Sequence, residues 1–126
     1  MTQKILSVDD SRVARMAVLR ALDSLAGDWT RLEASDAAIA LDIVRRETPD
    51  IALIDFNMPG KDGLTLAAEL RTINPRIHTA VISANHQLEV VERARAAGAA
   101  FLRKPITEAS LRQFLDALPG RAQDSP

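Results

Sequence analysis

The stretch Asp50-Ile51-Ala52-Leu53-Ile54-Asp55-Phe56-Asn57-Met58-Pro59-Gly60-Lys61-Asp62-Gly63 decides how the chain is organised. Ile51 to Ile54 is an apolar run without a polar break, the pattern of a strand buried on both faces of a parallel sheet. The run ends on a carboxylate, Asp55, and turn signals follow at once in Met58-Pro59-Gly60 and Asp62-Gly63. Asp55 is therefore expected at the carboxyl end of a buried strand, the edge where open α/β sheets bind ligands.

Upstream, Ile5 to Val8 is a short, mostly apolar run that likewise ends on acid, in Asp9-Asp10. Ser11 is placed to cap a helix whose apolar stripe is Ala14, Val18, Ala21, Leu22 and Leu25, with Gly27 as its end. In Thr30 to Ala34, Arg31 and Glu33 alternate with less polar residues, which predicts an edge strand. Trp29, the only tryptophan, begins that strand and reads as a packing lid. Ser35-Asp36 opens a second helix (Ala37, Ala40, Leu41, Val44) that Pro49 blocks.

Downstream, a third helix presents Leu66, Ala67, Leu70 and Ile73 and stops at Asn74-Pro75. Ile77 to Ile82 is a fourth strand ending at Ser83. Asn85 is placed to cap a fourth helix (Val90, Val91, Ala94, Ala97) that Gly98 closes. Ala99 to Leu102 is a fifth strand, followed by Arg103-Lys104-Pro105. Thr107 caps the last helix, with Leu111, Phe114, Leu115 and Leu118 in line. Strands and helices alternate strictly. That predicts an α/β fold: a flavodoxin-like, doubly wound, five-stranded parallel sheet of order 2-1-3-4-5, with right-handed crossovers. The domain is expected over residues 1–120, with 121–126 a polar and disordered tail.

The 126 residues suit one domain with a single core. A net charge of -1 offers no duplex-binding or membrane-binding surface. Cysteine is absent, so disulfides and thiolate metal sites are excluded. No signal peptide and no apolar run near the ~20 residues of a membrane span is present, which predicts a cytoplasmic chain.

In the predicted strand order, Asp9, Asp10, Asp55, Ser83 and Lys104 converge on one crevice. Three carboxylates there repel one another unless one is protonated or a cation joins them. Mg²⁺ suits few carboxylates, several waters and phosphate oxygens. With it, Asp55 can act as a nucleophile toward phosphorus. Lys104 can balance the added charge as a point cation, and Ser83 can donate a hydrogen bond to a phosphoryl oxygen. Phosphoryl transfer is the chemistry these groups share. Taken singly each is commonplace: an Asp-Asp pair before a helix is usually a cap and dipole partner, and Lys104 a solvated loop charge.

In combination, Asp9-Asp10, Asp55-Phe56-Asn57-Met58-Pro59-Gly60, Asp62-Gly63, Ser83-Ala84, Phe101 and Lys104-Pro105 resemble the receiver domain of bacterial response regulators, the CheY-like family. The resemblance covers Gln3 to Leu118. It implies phosphorylation of Asp55 by a histidine kinase or histidine phosphotransfer protein. It implies Mg²⁺ held by Asp10, Asp55 and the backbone carbonyl of Asn57, with Asp9 assisting. Ser83 and Lys104 would then sense the phosphoryl group, and Phe101 would be the switch aromatic, without the hydroxyl of the tyrosine often found there. Asn57 and Asn85 are expected to flank the attacking water and tune dephosphorylation. A downstream protein is expected on the face of the fourth helix, fifth strand and fifth helix, where Arg93, Arg95, Arg103 and Arg112 lie. The expected function is a phosphorylation-controlled switch, with no enzymatic turnover of outside substrates.

Other classes fit less well. An aspartyl-phosphate phosphohydrolase of the haloacid dehalogenase kind wants an acid two residues after its nucleophile, where this chain has Asn57. A nucleotide- or flavin-binding protein needs a phosphate-cradling loop after the first strand, where Asp9-Asp10 stands. A receiver cut from a longer DNA-binding regulator would read the same. His78 and His86 have no second histidine at ligand spacing and read as structural.

Overall fold

The computed structural model describes residues 3–25, 27–84 and 88–118. The elements run β1 (Gln3–Val8), α1 (Arg12–Asp23), β2 (Trp29–Ala34), α2 (Ala37–Glu47), β3 (Ile51–Asp55), α3 (Gly63–Ile73), β4 (His78–Ser83), α4 (Leu88–Ala96), β5 (Ala100–Arg103) and α5 (Glu108–Asp116). All five strands pair in parallel, in the order β2-β1-β3-β4-β5. This is the order expected from the sequence, and β2, the polar strand, lies at an edge.

Strand alternation divides the core into two layers. Leu6, Val8, Ala52, Ile54 and Val81 point to the side covered by α2, α3 and α4. Ile5, Ile51, Leu53, Ala80, Ile82 and Leu102 point to the side covered by α1 and α5. All five residues of β3 are buried, because helices cover both its faces.

Side chains set the helix starts. Ser11, Asp36, Asp62 and Thr107 each accept a backbone N–H three residues on. At Thr107 the bond is reciprocated by Ser110, completing a capping box. The expected cap Asn85 lies outside the described residues, as do His86 and the tail 121–126. One helix end differs from expectation. α1 stops at Asp23 with Ser24 as its cap, and Gly27 lies beyond it. Gly27 has φ +147°, and a Cβ there would stand 2.8 Å from ring carbons of Trp29. Its task is to let the chain cross the indole closely. Trp29 is correspondingly a core residue, 7% exposed and packed with Val18, Leu22 and Leu25, and not a lid.

Leu66 is fully buried in the layer under α2, α3 and α4. Leu66→Ala should lower the unfolding free energy by about 2–5 kcal/mol with an unchanged denaturant slope. Urea titration followed by circular dichroism checks this; a loss below about 1 kcal/mol would place Leu66 outside the close-packed core.

Candidate functional site

Register alone assembles the site. Val8 pairs with Ile54, which brings Asp9 level with Asp55. Asp55 pairs with Ile82, so Ser83 stands one residue beyond. Ser83 pairs with Arg103, and Lys104 follows, its N–H donating to the Ser83 carbonyl at 3.0 Å. The carboxylates of Asp9, Asp10 and Asp55 each offer an oxygen within 4.8 Å of the others. Asp55 is 4% exposed and Asp9 8%, whereas Asp10 faces solvent. Ser83 is fully buried.

Among the described residues one cation offsets part of this cluster's charge. Lys104 Nζ lies 2.9 Å from Asp55 Oδ1. At that distance the ammonium is the charged partner of an oxygen that is otherwise buried without a hydrogen bond. Partial burial disfavours the Lys104 charge, but the Asp55 carboxylate, with Asp9 and Asp10 behind it, outweighs this and holds the ammonium above its ordinary pKa. Asp9 is pushed above the usual carboxylate range, first by burial, then by the charges of Asp55 and Asp10. The Ser11 N–H, donating to Asp9 Oδ1 at 2.9 Å, and Lys104 offset part of this. At these separations two like charges repel by roughly 3 kcal/mol at an effective dielectric of about 20. The cluster therefore carries more negative charge than its one ammonium neutralises.

A hard divalent cation fits. The donors are carboxylate oxygens, one of them buried and met only by the Lys104 ammonium, and Asp10 leaves a solvent-facing side for waters. Asn57 is exposed in the loop after β3, two residues from Asp55. Phe101 is half-buried against the layer under α2, α3 and α4.

Three supports were not evident in the sequence roles. Gly63 begins α3 against the backbone of the Asp55 strand: a Cβ there would lie 2.5 Å from the Asp55 carbonyl oxygen. Its N–H donates to the Phe56 carbonyl at 2.9 Å. Arg15, off the apolar stripe of α1, turns inward; its side chain is 13% exposed. It donates to the Asp9 carbonyl at 2.5 Å and to Glu33 Oε1 at 2.9 Å, tying the acidic turn to β2. Asp62 caps α3 and meets Arg93 of α4 at 3.4 Å. Burial pushes its carboxyl up, but the Thr65 and Arg93 bonds hold it below its usual value.

Among the described residues no helix is long and apolar enough to cross a membrane. Residues 5–116 match the family described as response regulator receiver domain. The chain is 36% identical over 126 residues to the probable transcriptional regulatory protein NarL of Mycobacterium tuberculosis, covering 98% of this chain and 58% of that protein. It is 32% identical to sporulation initiation phosphotransferase F of Bacillus subtilis, covering 79% of this chain and 78% of that one. The solved signal receiver domain of the M. tuberculosis NarL superposes with a TM-score of 0.81 at 35% identity, covering 95% and 98% of the two chains.

Asp9→Asn keeps the oxygen that accepts the Ser11 N–H and removes one of the crowded charges. The folded pKa of Asp9 lies above its unfolded value, so its ionisation costs stability: the cost is absent below the unfolded pKa and grows as pH rises through the folded one. At neutral pH without divalent cations the variant should melt a few degrees higher than the parent. The gain should vanish in acid and shrink as Mg²⁺ is added. Scanning calorimetry checks this; a lower midpoint at neutral pH would contradict the account of crowding.

Proposed function

The chain belongs to the response regulator receiver family, and on that premise we propose that Asp55 is its phosphoacceptor in a two-component or phosphorelay pathway. Receiver domains are signalling switches and generally not enzymes. The observation that carries the assignment is the convergence of Asp9, Asp10, Asp55 and Lys104 on one strand-end crevice, with Asp55 the buried member beside the ammonium.

In the proposed transfer an Asp55 oxygen attacks phosphorus. The new O–P bond forms as the bond to the donor imidazole of a histidine kinase or phosphotransfer protein breaks, and the imidazole keeps the electron pair. Mg²⁺, when bound by Asp10, Asp55 and the Asn57 carbonyl with Asp9 assisting, supplies the positive charge the three acids lack. Lys104 already faces Asp55 and would follow a phosphoryl oxygen by a small movement. Ser83, one residue beyond the Asp55 partner on β4, would donate its hydroxyl to the phosphoryl group and draw the end of β4 with it. Phe101 on β5 would turn into the space released. Asn57 and Asn85 would orient the water that hydrolyses the acyl phosphate, making phosphorylation and dephosphorylation self-catalysed at this site.

The output reading follows from these positions. Charge added at one point must bias a bistable element to become a signal. Asp62–Arg93 joins the loop after Asp55 to α4, and Phe101 lies on β5 next to β4. The face of α4, β5 and α5 is therefore the proposed docking surface for a downstream protein, in the cytoplasm, without direct contact to nucleic acid or membrane. Residues 1–120 would form the receiver unit and 121–126 a tail beyond it. One fact favours a second reading of the context: the chain spans 58% of the length of its NarL relative, a probable transcriptional regulator. The chain would then be the receiver part of a longer DNA-binding regulator with the same switch chemistry.

Incubation with acetyl phosphate and Mg²⁺, followed by peptide mapping, should place the phosphoryl group on Asp55 and leave Asp55→Asn unlabelled. Equal labelling of the variant would remove the assignment. In the same assay Asn85→Leu should lengthen the phosphoryl lifetime; a shorter or unchanged lifetime counts against a water-orienting role.

Ser83→Ala should still accept phosphate but transmit poorly. Amide shift maps of the free and phosphorylated forms should show changes across α4 and β5 in the parent and mainly around Asp55 in the variant. A parent whose changes stop at the Asp55 loop would exclude this route.

A further inference from the structure

The pole of the sheet opposite Asp55 carries a cavity of about 560 Å³ at the amino end of β4. It opens where β4 outruns its neighbour: pairing with β5 starts at Ala80, so His78 and Thr79 are paired on the β3 side alone. Arg71 near the end of α3, Arg76 in the turn after it, and His78 surround the opening. Ile77, Ala100 and Phe114 give it an apolar wall. No carboxylate is among its described lining residues.

The guanidinium groups here are placed, and most of their donors are free among the described residues. Arg71 Nη1 donates to the Ala97 carbonyl at 2.8 Å and occupies the space a side chain on residue 98 would take. Gly98, at φ +74°, supplies both the left-handed turn and the missing Cβ, which would fall 1.5 Å from Nη1. A guanidinium has five N–H donors, and among the described residues the others on Arg71 meet no acceptor. Arg76 is exposed; among the described residues its guanidinium makes no ion pair, and its backbone N–H donates to Asn74 Oδ1 at 3.2 Å. Thr79, also in the lining, is 3% exposed, with a buried hydroxyl that has no hydrogen-bond partner.

Two guanidinium forks and an imidazole round one concavity match an anion with several oxygens. The apolar wall asks for a carbon part, and the volume lies within the roughly 300–1,000 Å³ of small-molecule sites. We propose that this cavity binds a small phosphate monoester with a flat apolar group, of the nucleotide type, with its phosphate on Arg71 and Arg76 beside His78 and its carbon part against Ala100 and Phe114. The site is separate from the acidic crevice and does not depend on the reading of Asp55.

The test is a ¹⁵N amide-shift titration of the whole chain without divalent cations, using adenosine monophosphate, inorganic phosphate and adenosine as probes. Adenosine monophosphate should give saturable shifts at Arg71, His78, Thr79 and Gly98 and leave Asp55 and Lys104 in place. Inorganic phosphate should move the same amides more weakly, and adenosine should not move them. Arg76→Glu, a change at an exposed turn, should weaken binding at least tenfold, and His78→Gln several-fold, while Asp55→Asn leaves affinity unchanged. Each spectrum also reports whether its variant is folded, and His78→Gln keeps the test open should Arg76→Glu fail to fold. Shifts centred on Lys104, no saturable shift with any probe, equal shifts from adenosine, or unaltered affinity in both cavity variants would overturn the proposal.

Discussion

Everything at the carboxyl end of the sheet follows from one electrostatic imbalance. Three carboxylates share a space in which their oxygens lie within 4.8 Å, and among the described residues one ammonium, that of Lys104, faces them. Two of the acids are nearly buried, so water cannot screen them well. The arrangement costs stability, and the fold keeps it because the costs are met elsewhere. β3 is covered on both faces, and the neighbouring strands hold Asp55 in register. A strand this well fixed can present a charged group that a looser one would let turn away.

The second layer of support acts on the backbone. The Ser11 N–H takes one oxygen of Asp9, and Arg15 takes the Asp9 carbonyl. Gly63 lets α3 begin against the Asp55 strand, closer than any side chain would permit. Asp62 then caps that helix and reaches Arg93 on α4. The acidic crevice is thus joined to β2 on one side and to α4 on the other, by contacts that a change of charge at Asp55 would stress.

Much of this was legible in the sequence, for a physical reason. A buried parallel strand needs an apolar run, and an apolar run that stops on a carboxylate marks both the strand and its functional end. Asp9-Asp10, Asp55, Ser83 and Lys104 each follow such a run, so strand order alone assembled the crevice. Capping was legible at Ser11 and Thr107, because a cap is a local interaction between near neighbours. Gly98 closes α4 with a left-handed turn as expected, but the roles of Arg15 and Gly27, and the room Gly98 leaves for Arg71, were not legible. Each depends on a partner brought near by folding: Glu33 from the edge strand, the Trp29 ring, the Arg71 guanidinium. Gly27 was expected to end α1 because glycine commonly does so; the indole beside it explains it better. Ile43 was absent from the expected stripe of α2 but is buried, because the covered face of that helix is wider than a single line of contacts.

The surplus negative charge of this crevice is proposed to recruit a divalent cation. Anomalous diffraction from crystals soaked in Mn²⁺, a scatterer that stands in for Mg²⁺, tests it directly. A single strong peak is expected within coordination distance of the Asp10 and Asp55 carboxylates and the Asn57 carbonyl, lost in Asp10→Ala crystals treated in the same way. No peak in the crevice, or one that persists in the variant, would contradict the account.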